Sequence, residues 1–141
     1  MNWLLTSLMV ICGSSVANAL AKSFSRKIAP MYALMLFAIG ALFASLTGFI
    51  ILRLVTTKGD VFTKEGALLA ILAGIIWGIS QLFLFITLSK SVPIAIVLPL
   101  IVGGIAIGGV IAGIAVFKES LTTIQILGIV LVLVGSAVLA K

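Results

Sequence analysis

The chain has 141 residues, of which 63% are hydrophobic and 9% are charged, and its mean hydropathy is +1.46. So few polar residues cannot cover a soluble domain of this size, which excludes a water-soluble globular protein. The net charge is +6, with nine cations, three acids and no histidine. The cations fall at the ends of apolar segments, where they fit topology signals and lipid-headgroup contacts better than nucleic-acid binding.

Five apolar segments follow one another, each close to the roughly 20 residues that cross a hydrocarbon core. We predict helices over residues 3–21, 31–52, 66–88, 93–117 and 122–140. The pattern predicts an all-α integral membrane protein with five transmembrane helices. We expect a single five-helix domain over residues 1–141, placed in the cell membrane as a multi-pass protein.

Several local signals refine this prediction. Lys58-Gly59-Asp60 is a turn signal in the longest polar stretch, and Pro93 suits a first helical turn. Pro99 should bend its helix or free a carbonyl group. A single cysteine forms no intrachain disulfide, so we expect Cys12 to be a buried structural thiol. Ala17-Asn18-Ala19 is similar to a signal-peptide cleavage site, but no Lys or Arg precedes it, so we expect a retained first helix.

Five spans would divide the cations almost evenly between the two sides of the membrane. One side would carry Lys22, Arg26, Lys27, Lys90 and Lys141, and the other Arg53, Lys58, Lys64 and Lys118. Since an excess on one side sets orientation, two interpretations stay open. Copies insert both ways and pair antiparallel, or the cluster at 22–27 fixes one orientation with the N-terminus outside.

Polar side chains inside the spans are the candidates for substrate binding, because no charged residue lies in the middle of a span. Ser14 and Asn18 share one face of the first helix, and Trp77 and Gln81 share one face of the third. We predict that these four line a substrate site near the bilayer midplane. For the other hydroxyl groups we expect hydrogen bonds between helices. No nucleophile–base pair, metal cluster or phosphate loop is present, so we expect neither an enzyme nor a cofactor.

Glycines crowd the fourth helix. Gly104 and Gly108 are four apart, and so are Gly109 and Gly113, a spacing that lets helix backbones approach closely. We predict that these glycines, together with Pro99, serve helix packing or gating.

Three stretches carry a resemblance to a known family. They are Gly13-Ser14-Ser15-Val16-Ala17-Asn18, Ser91-Val92-Pro93-Ile94-Ala95 followed by Pro99, and Lys118-Glu119-Ser120-Leu121 followed by Gly128 and Gly135. In them the chain resembles a single EamA-like unit of the drug/metabolite transporter (DMT) superfamily, and more distantly the small multidrug resistance proteins. Cys12 stands where the family usually has Trp.

The resemblance implies a half-transporter. Members of the superfamily move small metabolites by alternating access, commonly as two inverted five-helix repeats, so a homodimer would complete this chain. Val10 stands near the position of the drug- and proton-binding glutamate of the small multidrug resistance proteins, which argues against proton-coupled export of cationic drugs. Because no carboxylate lies inside a span, we expect a neutral or zwitterionic substrate. Two alternatives stay open: a lipid-linked sugar flippase subunit of the same superfamily, and a membrane accessory protein that transports nothing.

Overall fold

A computed structural model of the chain describes residues 3–55 and 62–139. These residues form helices without any strand: α1 Trp3–Phe24, α2 Pro30–Val55, α3 Lys64–Ser89, α4 Ile94–Ala115 and α5 Thr123–Leu139. Each helix lies within a few residues of its predicted range. The turn predicted at 58–60 and the C-terminal Lys141 lie outside the described residues.

The lengths of the helices fit a multi-pass membrane protein. Helices α1 to α4 have 22 to 26 residues, and at 1.5 Å per residue they are about 33 to 39 Å long. All four are long and apolar enough to cross a membrane. Helix α5 is apolar but has 17 described residues, about 26 Å, slightly less than a ~30 Å hydrocarbon core.

Capping hydrogen bonds mark the start of α3 and α5, and a proline marks the start of α4. Thr63 precedes α3, and its side-chain oxygen accepts a hydrogen bond from Gly66 N at 3.1 Å. Thr122 and Gln125 form a reciprocal capping box before α5, with Thr122 N donating to Gln125 Oε1 at 2.8 Å. Pro93 is the residue that caps α4 and has extended backbone angles. The sequence predicts Pro93 in the first turn of the helix, whereas α4 begins one residue later, at Ile94.

The chain divides into two compact units, Met1–Lys90 and Ser91–Lys141. The first unit contains α1, α2 and α3, and the second contains α4 and α5. The single five-helix domain stays a prediction, and each unit is described by itself below.

In the first unit, both α1 and α2 pack against α3. The buried side chains are Ala21, Ser25, Ala33, Phe85 and Leu88. They belong to the C-terminal ends of α1 and α3, the connection after α1, and the N-terminal part of α2. The unit is therefore closely packed at one end, while the remaining described side chains of these helices are half-buried or exposed.

Burial of Cys12 is not observed, because the described chain leaves the flank of α1 around it uncovered and the thiol is exposed. That expectation is wrong for the single chain. Most apolar side chains of the helices are likewise exposed in the single chain, which fits helices that contact lipid.

In the second unit, α4 and α5 are in close contact at Gly103. A Cβ atom at this position would lie 2.7 Å from Ser136 Cβ and closer still to Ser136 Oγ. The Ser136 hydroxyl lies within hydrogen-bond distance of two carbonyl oxygens. One is Pro99 O of α4 at 3.1 Å and the other is Val132 O of its own helix at 2.9 Å. Pro99 lies inside an unbroken α4, and its own carbonyl group, rather than the one its ring leaves unpaired, contacts the neighbouring helix.

The predicted glycine pairs do not mark this contact. A Cβ atom at Gly104, Gly108 or Gly109 would meet no atom of the described residues within 4 Å. Within the described chain, these three glycines therefore do not bring two backbones together, and their packing role stays a prediction for contact with another molecule. Gly113 is buried, but the atom that crowds it belongs to the Glu119 carboxylate rather than to another helix.

Candidate functional site

An aromatic and amide stripe runs along α3 through Trp77, Gln81 and Phe85. These residues are spaced by four, so they lie one above the other on the same face of the helix. The Phe37 ring of α2 contacts both ends of the stripe, with ring centroids 5.7 Å from Trp77 and 5.5 Å from Phe85. Gln81 is half-buried between these contacts. The two ring contacts therefore show that the ends of this stripe face α2.

Lys22 joins α1 to the end of α3. Its Nζ donates to Leu88 O at 2.9 Å and to Lys90 O at 3.1 Å. The last carbonyl groups of a helix lack intrahelical partners and carry partial negative charge, so an ammonium group is a favourable cap. One turn away, the rings of Phe24 and Phe85 pack edge to face at 5.4 Å. The C-terminal ends of α1 and α3 are therefore in contact.

The contact between these helix ends is a common reference point for two predicted residues. Ser14 precedes Lys22 by eight residues and Gln81 precedes Leu88 by seven, which correspond to about 12 Å and 10 Å along the two helices. Ser14 and Gln81 therefore lie at nearly the same distance along their helices from this contact. Ser14 is exposed and Gln81 is half-buried.

Along their own helices, Asn18 lies one turn nearer to this contact and Trp77 one turn farther from it. Asn18 is four residues before Lys22, about 6 Å from the packed end, and Trp77 is eleven before Leu88, about 16 Å from it. Asn18 is half-buried, whereas 51% of Trp77 is exposed. Trp77 thus lies near the middle of its helix, and Asn18 lies closer to the packed end.

The hydroxyl groups of the first unit mostly satisfy themselves within their own helices. Hydroxyls of Ser15, Ser45, Thr47 and Thr87 donate to the carbonyl four residues earlier, at 2.8 to 2.9 Å. Ser80 donates to Trp77 O at 2.7 Å. For these residues, the expectation of hydrogen bonds between helices is wrong, because each hydroxyl reaches a carbonyl of its own helix. Ser136 in the second unit behaves as expected, because its hydroxyl reaches Pro99 O of the neighbouring helix.

The predicted site residues Ser14, Asn18 and Gln81 differ from these hydroxyls. Over residues 3–55 and 62–139, their side chains make no hydrogen bond. None of the described hydrogen bonds joins the α1 pair to the α3 pair either. An amide carries two donors on nitrogen and an acceptor oxygen, so Asn18 and Gln81 keep their full capacity for a ligand, water or another chain.

The described residues contain no group of three or more His, Cys, Asp or Glu side chains that could hold a metal ion. Sequence reasoning missed Lys22, Phe37 and Phe85. Lys22 was assigned to topology alone, although a cation at the end of one helix is also within reach of the end of its neighbour. Phe37 and Phe85 are two of eight phenylalanines, and no local signal distinguishes them.

No family model, no curated protein and no solved structure matches this chain.

Proposed function

We propose that the chain is a small membrane transporter, an EamA-like half-transporter of the drug/metabolite superfamily that works as a homodimer in the cell membrane. It moves a small neutral or zwitterionic metabolite by alternating access. The three stretches of sequence resemblance support the family, and the lengths of the helices support membrane insertion.

The observation that carries the proposal is the pair of unpaired amides, Asn18 and Gln81. Both belong to membrane-length helices, and hydrocarbon offers no partner to a polar group, which costs several kcal/mol in a bilayer. The neighbouring hydroxyls avoid this cost through their own helices, whereas the amides do not. A water-filled cavity that admits a polar substrate satisfies both amides.

A second copy of the chain would complete such a cavity. The first unit is packed at one end, and beyond Gln81 its stripe becomes exposed at Trp77. Transporters built from repeated halves hold the substrate at the interface of the halves near the midplane, which is the level of Trp77 in α3. The nearly even division of the cations also fits copies that insert in opposite orientations.

Substrate-dependent uptake into proteoliposomes tests the proposal, with a panel of radiolabelled neutral and zwitterionic metabolites. Since a hydrogen bond to substrate contributes about 1 kcal/mol or more, we expect Asn18→Ala and Gln81→Ala each to lower uptake by about fivefold or more. Thr47→Val is the matched control, because the Thr47 hydroxyl already bonds Phe43 O at 2.9 Å and its loss should leave uptake unchanged.

Normal uptake by both amide variants, if both are correctly folded, would show that the substrate site lies elsewhere. Protein that is folded and inserted but transports no member of the panel would favour the accessory protein over the transporter.

A further inference from the structure

The second unit contains a groove of about 400 Å³ beside the C-terminal end of α4, within the size range of ligand sites. Its walls are aliphatic side chains of α4, the following turn and α5, among them Ile114, Leu121 and Ile126. Glu119 is the charged residue of the lining. The groove thus joins an apolar channel to one carboxylate.

The turn after α4 places this carboxylate against the helix. Lys118 has a left-handed backbone conformation, with φ of 57°, which reverses the chain. Glu119 N then donates to Gly113 O at 3.0 Å. A Cβ atom at Gly113 would lie 2.7 Å from Glu119 Oε2, so the carboxylate lies directly against the α4 backbone at this glycine.

The charges at the C-terminal end of α4 favour the binding of a cation. Among residues 3–55 and 62–139, no ammonium or guanidinium group pairs with Glu119, and Lys118 is exposed. The C-terminal end of α4 adds the partial negative charge of its last carbonyl groups. A positive group at this end would therefore meet both the carboxylate and the helix dipole.

The position of the groove suits a lipid. Val110, at its inner end, precedes the last residue of α4 by five positions, about 8 Å of helix. If α4 spans the membrane, the carboxylate lies at headgroup level and the aliphatic walls lie at the level of the upper acyl chain. We propose that this groove binds a phospholipid whose headgroup carries a primary ammonium group, with the ammonium on Glu119, the phosphate beside Lys118 and an acyl chain along α4 and α5.

Native mass spectrometry of the full chain, released from nanodiscs, tests the proposal. The nanodiscs contain phosphatidylcholine with an equal small fraction of phosphatidylethanolamine or phosphatidylglycerol. An exposed ion pair changes a binding constant by about two- to fivefold, so we expect retained phosphatidylethanolamine to exceed phosphatidylglycerol by at least this factor. Glu119→Gln should abolish the preference, whereas Glu65→Gln, an acid at the start of α3, should leave it unchanged.

A second variant tests the apolar part without altering the charge. Ile126→Trp fills the channel and should lower retention of all double-chain lipids at the site, while the protein keeps its far-ultraviolet circular dichroism. Equal retention of the two lipids by the wild-type chain, or a preference that survives in Glu119→Gln, would overturn the proposal. So would equal retention of phosphatidylethanolamine and phosphatidylcholine from separate nanodiscs that hold the two lipids in equal amounts, because the groove would then bind acyl chains without recognising the primary ammonium group.

Discussion

Gly103→Ala is expected to separate α4 from α5. The added methyl carbon would lie 2.7 Å from Ser136 Cβ and nearer to Ser136 Oγ, distances that force one helix to move. Overpacking of this kind costs about 1–3 kcal/mol, and the better helix propensity of alanine returns up to about 1 kcal/mol. We therefore expect a net loss of about 1–2 kcal/mol in the free energy of unfolding, measured by reversible denaturation in mixed micelles.

Two further variants make this prediction specific. Ser136→Gly removes both atoms that the new methyl group meets, so the double variant should recover stability, with a coupling energy of about 0.5–3 kcal/mol. Ser136→Ala should not rescue, because its Cβ remains. Gly108→Ala is the matched control in the same helix, with no described atom within 4 Å. Equal stability of Gly103→Ala and Gly108→Ala would refute the reasoning.

Two other predictions address the first unit and the topology. Lys22→Met removes both hydrogen bonds to the end of α3 and should lower the free energy of unfolding by about 1–3 kcal/mol. The control Arg26→Met, at an exposed residue, should change this free energy little. Equal effects of the two variants in the same micelle assay would show that Lys22 does not cap α3. Adding two lysines to the 56–64 connection should drive it to the cytoplasm, as read from reporter fusions to both termini, and a single orientation shared by wild type and variant would contradict dual topology.

The existence and approximate bounds of the helices follow from the sequence, because each apolar run matches the thickness of a bilayer. The rotation of each helix about its own axis does not follow from the sequence. The helices are apolar on every side, so no amphipathic stripe distinguishes the face that meets a neighbour from the face that meets lipid. This is why spacing pointed to Gly104 and Gly108, while the close contact lies at Gly103.

The candidate site, too, could be predicted from the sequence only in part. Asn18 and Gln81 are conspicuous in the sequence because an amide in a hydrophobic span needs a partner, and the described structure leaves both without one. The ring contacts of the aromatic and amide stripe could not be chosen in advance, because Phe37 and Phe85 look like any other apolar residue until α2 and α3 are brought together. The second role of Lys22 likewise depends on the contact between the C-terminal ends of α1 and α3, which the sequence does not reveal.

Water accessibility at Gln81 tests the central claim most directly, since it needs no knowledge of the substrate. Gln81→Cys is made in a Cys12→Ala background and treated in membranes with a membrane-impermeant thiol reagent. Ile79→Cys is the control, because Ile79 is 54% exposed but lies on another face of α3. Thiol reagents require the thiolate and hence water, so the account predicts that Gln81→Cys reacts at least roughly tenfold faster than Ile79→Cys. Equal, slow reaction at both positions would contradict a water-filled cavity and with it the proposed transport site.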